Sequence, residues 1–190
     1  MHALILFLLV LLFPYNAEGN GWNKQQSNVN TALRSIHAYN GAIVWCAGDS
    51  TLVLKTEDSG QTWQKVMINT GFSKQNPLNF CDIKVINPST IIACGYVQGI
   101  NAPDTSYIFT TIDGGINWNQ SLLHIDGKIN ALQIVGDSLI YASTLYPESL
   151  TPRPFIYEST NNGNTWHIKR NMAAENPAGD KWMIDCHFID

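Results

Sequence analysis

The stretch Thr56-Glu57-Asp58-Ser59-Gly60-Gln61-Thr62-Trp63 recurs twice further along the chain. The second copy is Thr111-Ile112-Asp113-Gly114-Gly115-Ile116-Asn117-Trp118, and the third is Ser159-Thr160-Asn161-Asn162-Gly163-Asn164-Thr165-Trp166. Each copy sets a hydroxyl residue first, Asp or Asn two places on, Gly two places further, then Thr or Asn, then Trp. The tryptophans lie 55 and then 48 residues apart, a period that belongs to propellers and other repeat arrays.

The residues of the stretch are those of a tight turn. Asp58, Asp113 and Asn161 carry short side chains that can accept from backbone amides nearby. Gly60, Gly115 and Gly163 supply the positive φ that a hairpin turn needs. The leading hydroxyls of Thr56, Thr111 and Ser159, and the Thr or Asn ahead of each Trp, can tie the two flanking strands together. Trp63, Trp118 and Trp166 are expected to begin the return strands and to offer a large apolar surface for burial. A calcium loop would need alternating oxygen ligands and a closing Glu, which no copy has.

Around these turns the chain divides into short alternating runs bounded by Gly, Asn, Asp and Pro. Strands are expected at 33–39, 43–48, 52–56 and 63–68, then at 80–86, 90–96, 107–111 and 118–123, then at 129–135, 139–143, 155–159 and 166–169. The fold class is therefore all-β: a partial β-propeller of four-stranded antiparallel blades at about 32–68, 80–123 and 129–169, with a fourth begun at 182–190. Ahead of the first blade, Trp22-Asn23-Lys24-Gln25-Gln26-Ser27 resembles the strand that follows such a turn, without the turn. Propellers close with about four to eight blades. The chain thus reads as a propeller segment at 20–190, truncated at its C-terminus, from a ring of about seven blades and about 300–350 residues.

Residues 1–19 read as a signal peptide. The apolar run from Ala3 to Phe13 is too short to span a bilayer and suits a secretory core. Ala17-Glu18-Gly19 places cleavage before Asn20, and no cysteine sits near that point to receive a lipid. With 11 basic and 15 acidic residues and a net charge of −4, the chain offers no electrostatic footprint for nucleic acid. Four cysteines in an exported chain could pair in three ways. Yet Cys46 and Cys94 read as the same place in successive repeats, and Cys186 falls where Ile36 and Ile83 fall. Such positions favour free, buried thiols. No Cys or His spacing indicates a metal, and no cofactor is expected.

In an up-and-down blade the repeated turns lie at one end. The links between second and third strands, and those between blades, lie at the other. Those links are the long ones: 97–103, 146–154, 69–79 with Phe72 and Lys74, and 170–181 with Glu175. Long loops on a rigid scaffold are where binding is expected.

The repeated stretch resembles the Asp-box, or sialidase-type repeat, found in sialidases, xyloglucan-degrading enzymes, sortilin-like receptors and photosystem II assembly and stability factors. The resemblance implies a propeller in which the box is structural. Sialidase activity would require an arginine cluster, an acid and a Tyr–Glu nucleophile pair. Arg34, Arg153 and Arg170 lack the sialidase context, Asp82 and Asp185 have no evident carboxylate partner, and His37, His124, His167 and His187 are scattered. Asp82 aligns with Ser35 and Asn130, so it is no repeated feature. No catalytic residue is assigned.

The first blade is most similar to the photosystem II assembly and stability factors. The matching residues are Trp22, Leu33-Arg34-Ser35-Ile36, Val44-Trp45-Cys46-Ala47-Gly48, Leu52-Val53-Leu54-Lys55-Thr56 and the box. Asp49-Ser50-Thr51 departs from that pattern in lacking a Gly before the third strand, and Ser59 replaces the first box Gly. The resemblance implies a non-enzymatic, exported binding or assembly scaffold with a protein or glycan ligand on the face opposite the box turns. It makes Arg34 and Lys55 binding candidates, and Arg153 and Arg170, on loops or strand ends, are further candidates. A glycoside hydrolase of sialidase or xyloglucanase type and a sortilin-like peptide receptor remain the alternatives.

Overall fold

The computed structural model describes residues 24–72, 75–100, 104–125, 127–145 and 155–171. The expected leader, Arg153 and the fourth-blade stretch with Cys186 lie outside the described residues. Twelve strands make three sheets of four. The first holds β1 (Leu33–Ala38), β2 (Val44–Gly48), β3 (Val53–Thr56) and β4 (Gln64–Val66). The second holds β5 (Asn79–Val85), β6 (Ile91–Val97), β7 (Thr105–Thr111) and β8 (Asn119–Ile125). The third holds β9 (Lys128–Val135), β10 (Leu139–Leu145), β11 (Phe155–Ser159) and β12 (His167–Asn171). All pairings are antiparallel and sequential.

The sheets stack face to face, with β5 against β1 and β2, and β9 against β5 and β6. Alternation within each strand sends apolar residues to both faces, and two cores result. Between the first and second sheets lie Trp45, Ala47 and Val53 against Phe80, Ile83, Val85, Ile91, Ala93 and Phe109. Between the second and third lie Ile92, Cys94 and Ile108 against Ile129, Leu132, Ile140, Ala142 and Tyr157. Burying each large apolar side chain contributes about 1.5–3 kcal/mol, so these two seams carry the stability of the stack.

The three repeated turns have one geometry. Gly60 N, Gly115 N and Gly163 N donate to the leading hydroxyls at 3.0, 3.0 and 2.9 Å. Thr62 N, Asn117 N and Thr165 N donate to Asp58, Asp113 and Asn161 at 2.8, 2.9 and 2.9 Å. The second oxygen of Asp58 accepts from the Thr62 hydroxyl and that of Asp113 from the Asn117 amide. Where Asn161 replaces Asp, the polarity reverses, and its NH2 donates to Thr165 Oγ1 at 2.8 Å. The return strands begin one residue after each Trp, at Gln64, Asn119 and His167, rather than at the Trp as expected. Each turn rests on the first hairpin of its own sheet, through Ser59 N to Ala42 O, Gly114 N to Ser89 O and Asn162 N to Ser138 O. These contacts place both sets of hairpins at one end of every sheet.

Each turn glycine is also a slot for the preceding sheet. Besides its φ of +93°, a Cβ on Gly115 would come within 2.6 Å of the Trp45 ring. On Gly163, with φ +77°, it would come within 2.5 Å of Ile92 Cδ1.

Strand register corrects three sequence expectations. Gly48 pairs with Leu33 and Gly95 with Phe80, so successive sheets are offset by one residue from the alignment that matched Cys46 to Cys94. Cys46 pairs with Ile36 and shares its register with Ala93, whereas Cys94 pairs with Asp82 and shares its register with Ala47. The two thiols therefore occupy opposite sheet faces, because one residue of slip reverses every side chain. Asp82 shares its register with Ser35 as expected, but with Ala131 rather than Asn130. The inner strands repeat at 47 residues from Leu33 to Phe80 and at 49 from Phe80 to Ile129, whereas both mismatched pairs lie 48 apart; all three strands carry the same bulge, at Arg34, Cys81 and Asn130. Finally, residues 24–27 form no strand, because none of the described strands lies beside them to supply a ladder.

Candidate functional site

Two concavities bear on the candidate residues, one at the end away from the repeated turns and one along the inner strands. The larger, of about 790 Å³, lies between the β2–β3 turn and the link to the second sheet. Ser50, Thr51, Met67, Phe72 and Pro77 are among its walls, and none of the described residues lining it is charged. Ser50 and Thr51 both hold left-handed backbone, with φ of 57° and 63°. This is where the sequence lacks the usual Gly, and for a β-branched residue the conformation is strained. Thr51 N donates to Leu78 O at 2.7 Å and Ser50 N to Asn79 Oδ1 at 3.1 Å, so the link itself holds the turn in place. Phe72 meets Tyr107 edge to face at 4.8 Å, which fixes the pocket's far wall. Met67 is 83% exposed at its rim, a flexible apolar side chain of the kind that adapts to varied ligands.

The second concavity, of about 360 Å³, follows the inner strands. The bulge residues Arg34, Cys81 and Asn130 line it with Asp82, Lys84 and Gln133. Arg34 forms a two-point ion pair with Asp49, its Nη2 reaching Oδ2 at 2.9 Å. This pair ties the inner strand to the same β2–β3 turn that borders the larger pocket.

Asp82 is the centre of this inner wall. It accepts from Ser35 Oγ of the first sheet at 2.6 Å, from Ile83 N at 2.8 Å and from Leu132 N of the third sheet at 2.9 Å. Lys84 Nζ lies 2.9 Å from Oδ2, which it shares with Leu132 N, and 3.0 Å from Oδ1. His37 Nδ1 likewise accepts from Val85 N at 3.1 Å. Burial, with the Lys84 charge second, pushes the His37 pKa down, in keeping with a neutral ring that accepts. Inner strands are sheet edges whose outward N–H groups need partners. Here side chains of the preceding sheet supply them. Sequence reasoning found no partner for Asp82, because the partners come from three different sheets.

The other candidates land apart. Lys55 lies 5.2 Å from the Trp45 ring centre and pairs with Glu57 at 2.7 Å, near the repeated turns. Arg170 is in β12, opposite Ile156. The structural set Thr56, Asp58, Gly60, Trp63, Thr111, Asp113, Gly115, Trp118, Ser159, Asn161, Gly163 and Trp166 lies at the turns just described.

One cluster escaped the sequence reading. Glu158, nearly buried on the third sheet, accepts from Lys169 at 3.1 Å and meets His167 at 3.0 Å. Hydrogen bonding from Tyr141 comes first among the causes that hold its carboxyl below the usual range. A Tyr–Glu pair is thus present, but on middle strands and with its carboxylate held by Lys169 and His167. Cys46 and Cys81 are free thiols whose pKa values burial pushes up to about 11, which keeps them protonated and unreactive. Among the described residues no group of three or more His, Cys, Asp or Glu could hold a metal. No described helix is long and apolar enough to cross a membrane.

No family model matches the chain. A curated relative, the photosystem II assembly lipoprotein Ycf48 of Synechococcus sp. (strain CC9902), is 22% identical over 178 residues. That match takes in 87% of this chain and 47% of the relative, so the chain spans about half the relative's length. Among solved structures, YCF48 bound to D1 peptide superposes with a TM-score of 0.56 at 19% identity, over 80% of this chain and 43% of that one. YCF48 from Cyanidioschyzon merolae gives a TM-score of 0.53 at 19% identity, over 80% and 44%. The fold these likenesses establish is a partial β-propeller, with the three sheets as successive blades.

Proposed function

We propose that the chain is part of an exported, non-enzymatic binding scaffold of the photosystem II assembly factor kind. Its ligand is an extended protein segment, taken at the blade end opposite the repeated turns. The observation that carries this reading is the pocket between the β2–β3 turn and the Met67–Pro77 link, walled by Phe72, rimmed by exposed Met67 and bordered by strained Thr51. Apolar lining with a few polar groups suits an uncharged side chain of a peptide, and strain held in place by surrounding contacts is common at binding sites. The two-point Arg34–Asp49 pair beside it provides a charged group that a chain-terminal carboxylate could engage. The solved relative bound to D1 peptide supports a polypeptide ligand. The signal-like start of the chain supports export.

A synthetic D1 peptide titrated calorimetrically into the exported protein tests the reading. Saturable binding is expected, weakened at least tenfold by Met67→Glu or Phe72→Ala and unchanged by Lys55→Ala. Absence of binding, or hydrolysis of a generic sialoside or xyloglucan, would overturn it.

A further inference from the structure

We infer that Asn40 is a site of spontaneous covalent modification, an asparagine that the fold holds ready to cyclise onto Gly41 and lose its amide as ammonia. Three Asn-Gly pairs stand in the sequence, at 20–21, 40–41 and 162–163, and the described residues include the last two. The two are held in opposite ways. Asn40 and Gly41 are exposed in the turn between β1 and β2. A Cβ on Gly41 would meet nothing within 4 Å, and the Gly41 N–H has no hydrogen-bond partner among the described residues. Asn40 Oδ1 accepts from Ala42 N and Ile43 N, both at 2.8 Å, and two N–H donors fix which end of the side chain is the oxygen. At Asn162 the reverse holds. Gly163 N donates to Ser159 Oγ at 2.9 Å, Asn162 N donates to Ser138 O at 3.3 Å, and Asn162 Oδ1 is buried with no donor among the described residues. Gly163 is itself buried against Ile92.

Cyclisation needs a free nucleophile, an open path and a stabilised oxyanion. The Gly41 nitrogen gives up its proton to solvent and attacks Asn40 Cγ. An N–Cγ bond forms, and the carbonyl electron pair moves onto Oδ1. The Ala42 and Ile43 amides already donate to that oxygen, so they meet the charge as it develops. The Cγ–Nδ2 bond then breaks, Nδ2 takes a proton, and ammonia departs from a cyclic imide. Water opens the imide at either carbonyl. Opening at Cγ gives Asp, and opening at the main-chain carbonyl gives isoaspartate, whose chain runs on through the former side chain. The net change is water in and ammonia out, with no oxidant and no enzyme. At Asn162 the nucleophile keeps its proton on Ser159 Oγ, and no donor faces the oxyanion. The first repeated turn rests on the modified segment. Ser59 N donates to Ala42 O at 3.1 Å, and Tyr39 N to Ile43 O at 3.0 Å. Isoaspartate lengthens the backbone there by a methylene and disturbs both bonds, whereas Asp at this position still accepts from the Ala42 and Ile43 amides.

The full chain, aged in mildly alkaline buffer, is followed by peptide mapping, with isoaspartyl methyltransferase labelling to tell isoaspartate from Asp. Asn40 should convert in the folded protein at least as fast as in urea, with isoaspartate exceeding Asp. Asn162 should stay intact in the folded protein and convert in urea. Gly41→Ala adds its Cβ in open space at a φ outside the left-handed region, so it should fold as before while slowing conversion by about an order of magnitude. Protection of the Ser59 amide from exchange should fall as isoaspartate accumulates and should hold in Asn40→Asp. The inference is overturned if folded Asn40 lasts as long as folded Asn162, if Asp forms without isoaspartate, or if Gly41→Ala ages at the same rate as the parent. Slower conversion in the folded protein than in urea overturns it too, since the Ala42 and Ile43 amides would then protect rather than promote.

Discussion

Replacing Asp82 should loosen all three sheets at once. Its carboxylate is 7% exposed and accepts from Ser35, Ile83 and Leu132 while facing Lys84. In Asp82→Asn the amide NH2 can turn toward Ser35, whose hydroxyl already accepts from Ile83 N at 3.3 Å. The oxygen then stays on Leu132 N. What is lost is the ion pair, the Ile83 N–H bond to the replaced oxygen and the charge on the bond that remains, about 1.5–3 kcal/mol. Asp82→Ala removes every acceptor and leaves the buried Leu132 N–H and a partly buried lysine unpaired. Losses of that kind run to about 3–5 kcal/mol. With a urea dependence of about 2 kcal/mol per molar, the midpoint should fall by about 1 M for Asn and about 2 M for Ala. Urea unfolding followed by tryptophan fluorescence gives the midpoints, and amide exchange at Leu132 reports the local contact. If Asp82→Ala leaves both the midpoint and Leu132 protection as they are, the carboxylate does not join the sheets and the reasoning fails.

The turn glycines should rank by what fills their slots. Gly115→Ala collides with the wedged Trp45 ring and should cost about 3 kcal/mol or more, whereas Gly60→Ala meets only the movable end of Gln25 and should cost about 1–2 kcal/mol. Equal costs in denaturant melts would show that the slots play no part. Hydrogen bonds, from the Thr62 side chain first in one turn and the Asn117 amide first in the other, hold the Asp58 and Asp113 carboxyls down to about 2. A native pKa below the unfolded value of about 4 stabilises above that value and is lost as pH falls toward the native one. Protection from amide exchange, taken relative to the intrinsic rate at each pH, should therefore fall at Thr62 and Asn117 between about pH 4 and about pH 2, while that of Thr165, held by the non-titrating Asn161, should not change over that range. Matching acid profiles at all three amides would refute this. Thr51→Gly should relieve left-handed strain at φ 63° and raise the unfolding midpoint by the equivalent of about 0.5–1 kcal/mol. A lower midpoint would mean that the side chain's contact with Leu78 O outweighs the strain.

The strands and turns were legible because their determinants are local. Gly60 bonds to Thr56 and Thr62 to Asp58, each four residues back, so spacing alone exposes them. Register was less legible. The bulges at Arg34, Cys81 and Asn130 insert one residue each into the inner strands, and no local pattern marks them. Because all three strands carry the bulge it does not offset them; Cys46 and Cys94 were mispaired because the first two sheets repeat at 47 residues and the cysteines lie 48 apart. The Asp82 hub and the Glu158 cluster were invisible for a further reason. Their partners are 47 to 50 residues away in the first case, and in the second are polar residues of strands read only for apolar alternation. The larger pocket arises from a turn and a link that meet only after folding.

The inner-strand amides are satisfied in one direction only. Ser35 and His37 serve β5, and Asp82 serves β9, so each strand relies on acceptors translated about 50 residues earlier. A chain leaving the ribosome thus meets ready-made partners at every step, and growth from the N-terminal sheet onward never strands an edge amide that a completed neighbour could hold. Threading the same sheets in reverse order would forfeit that guidance.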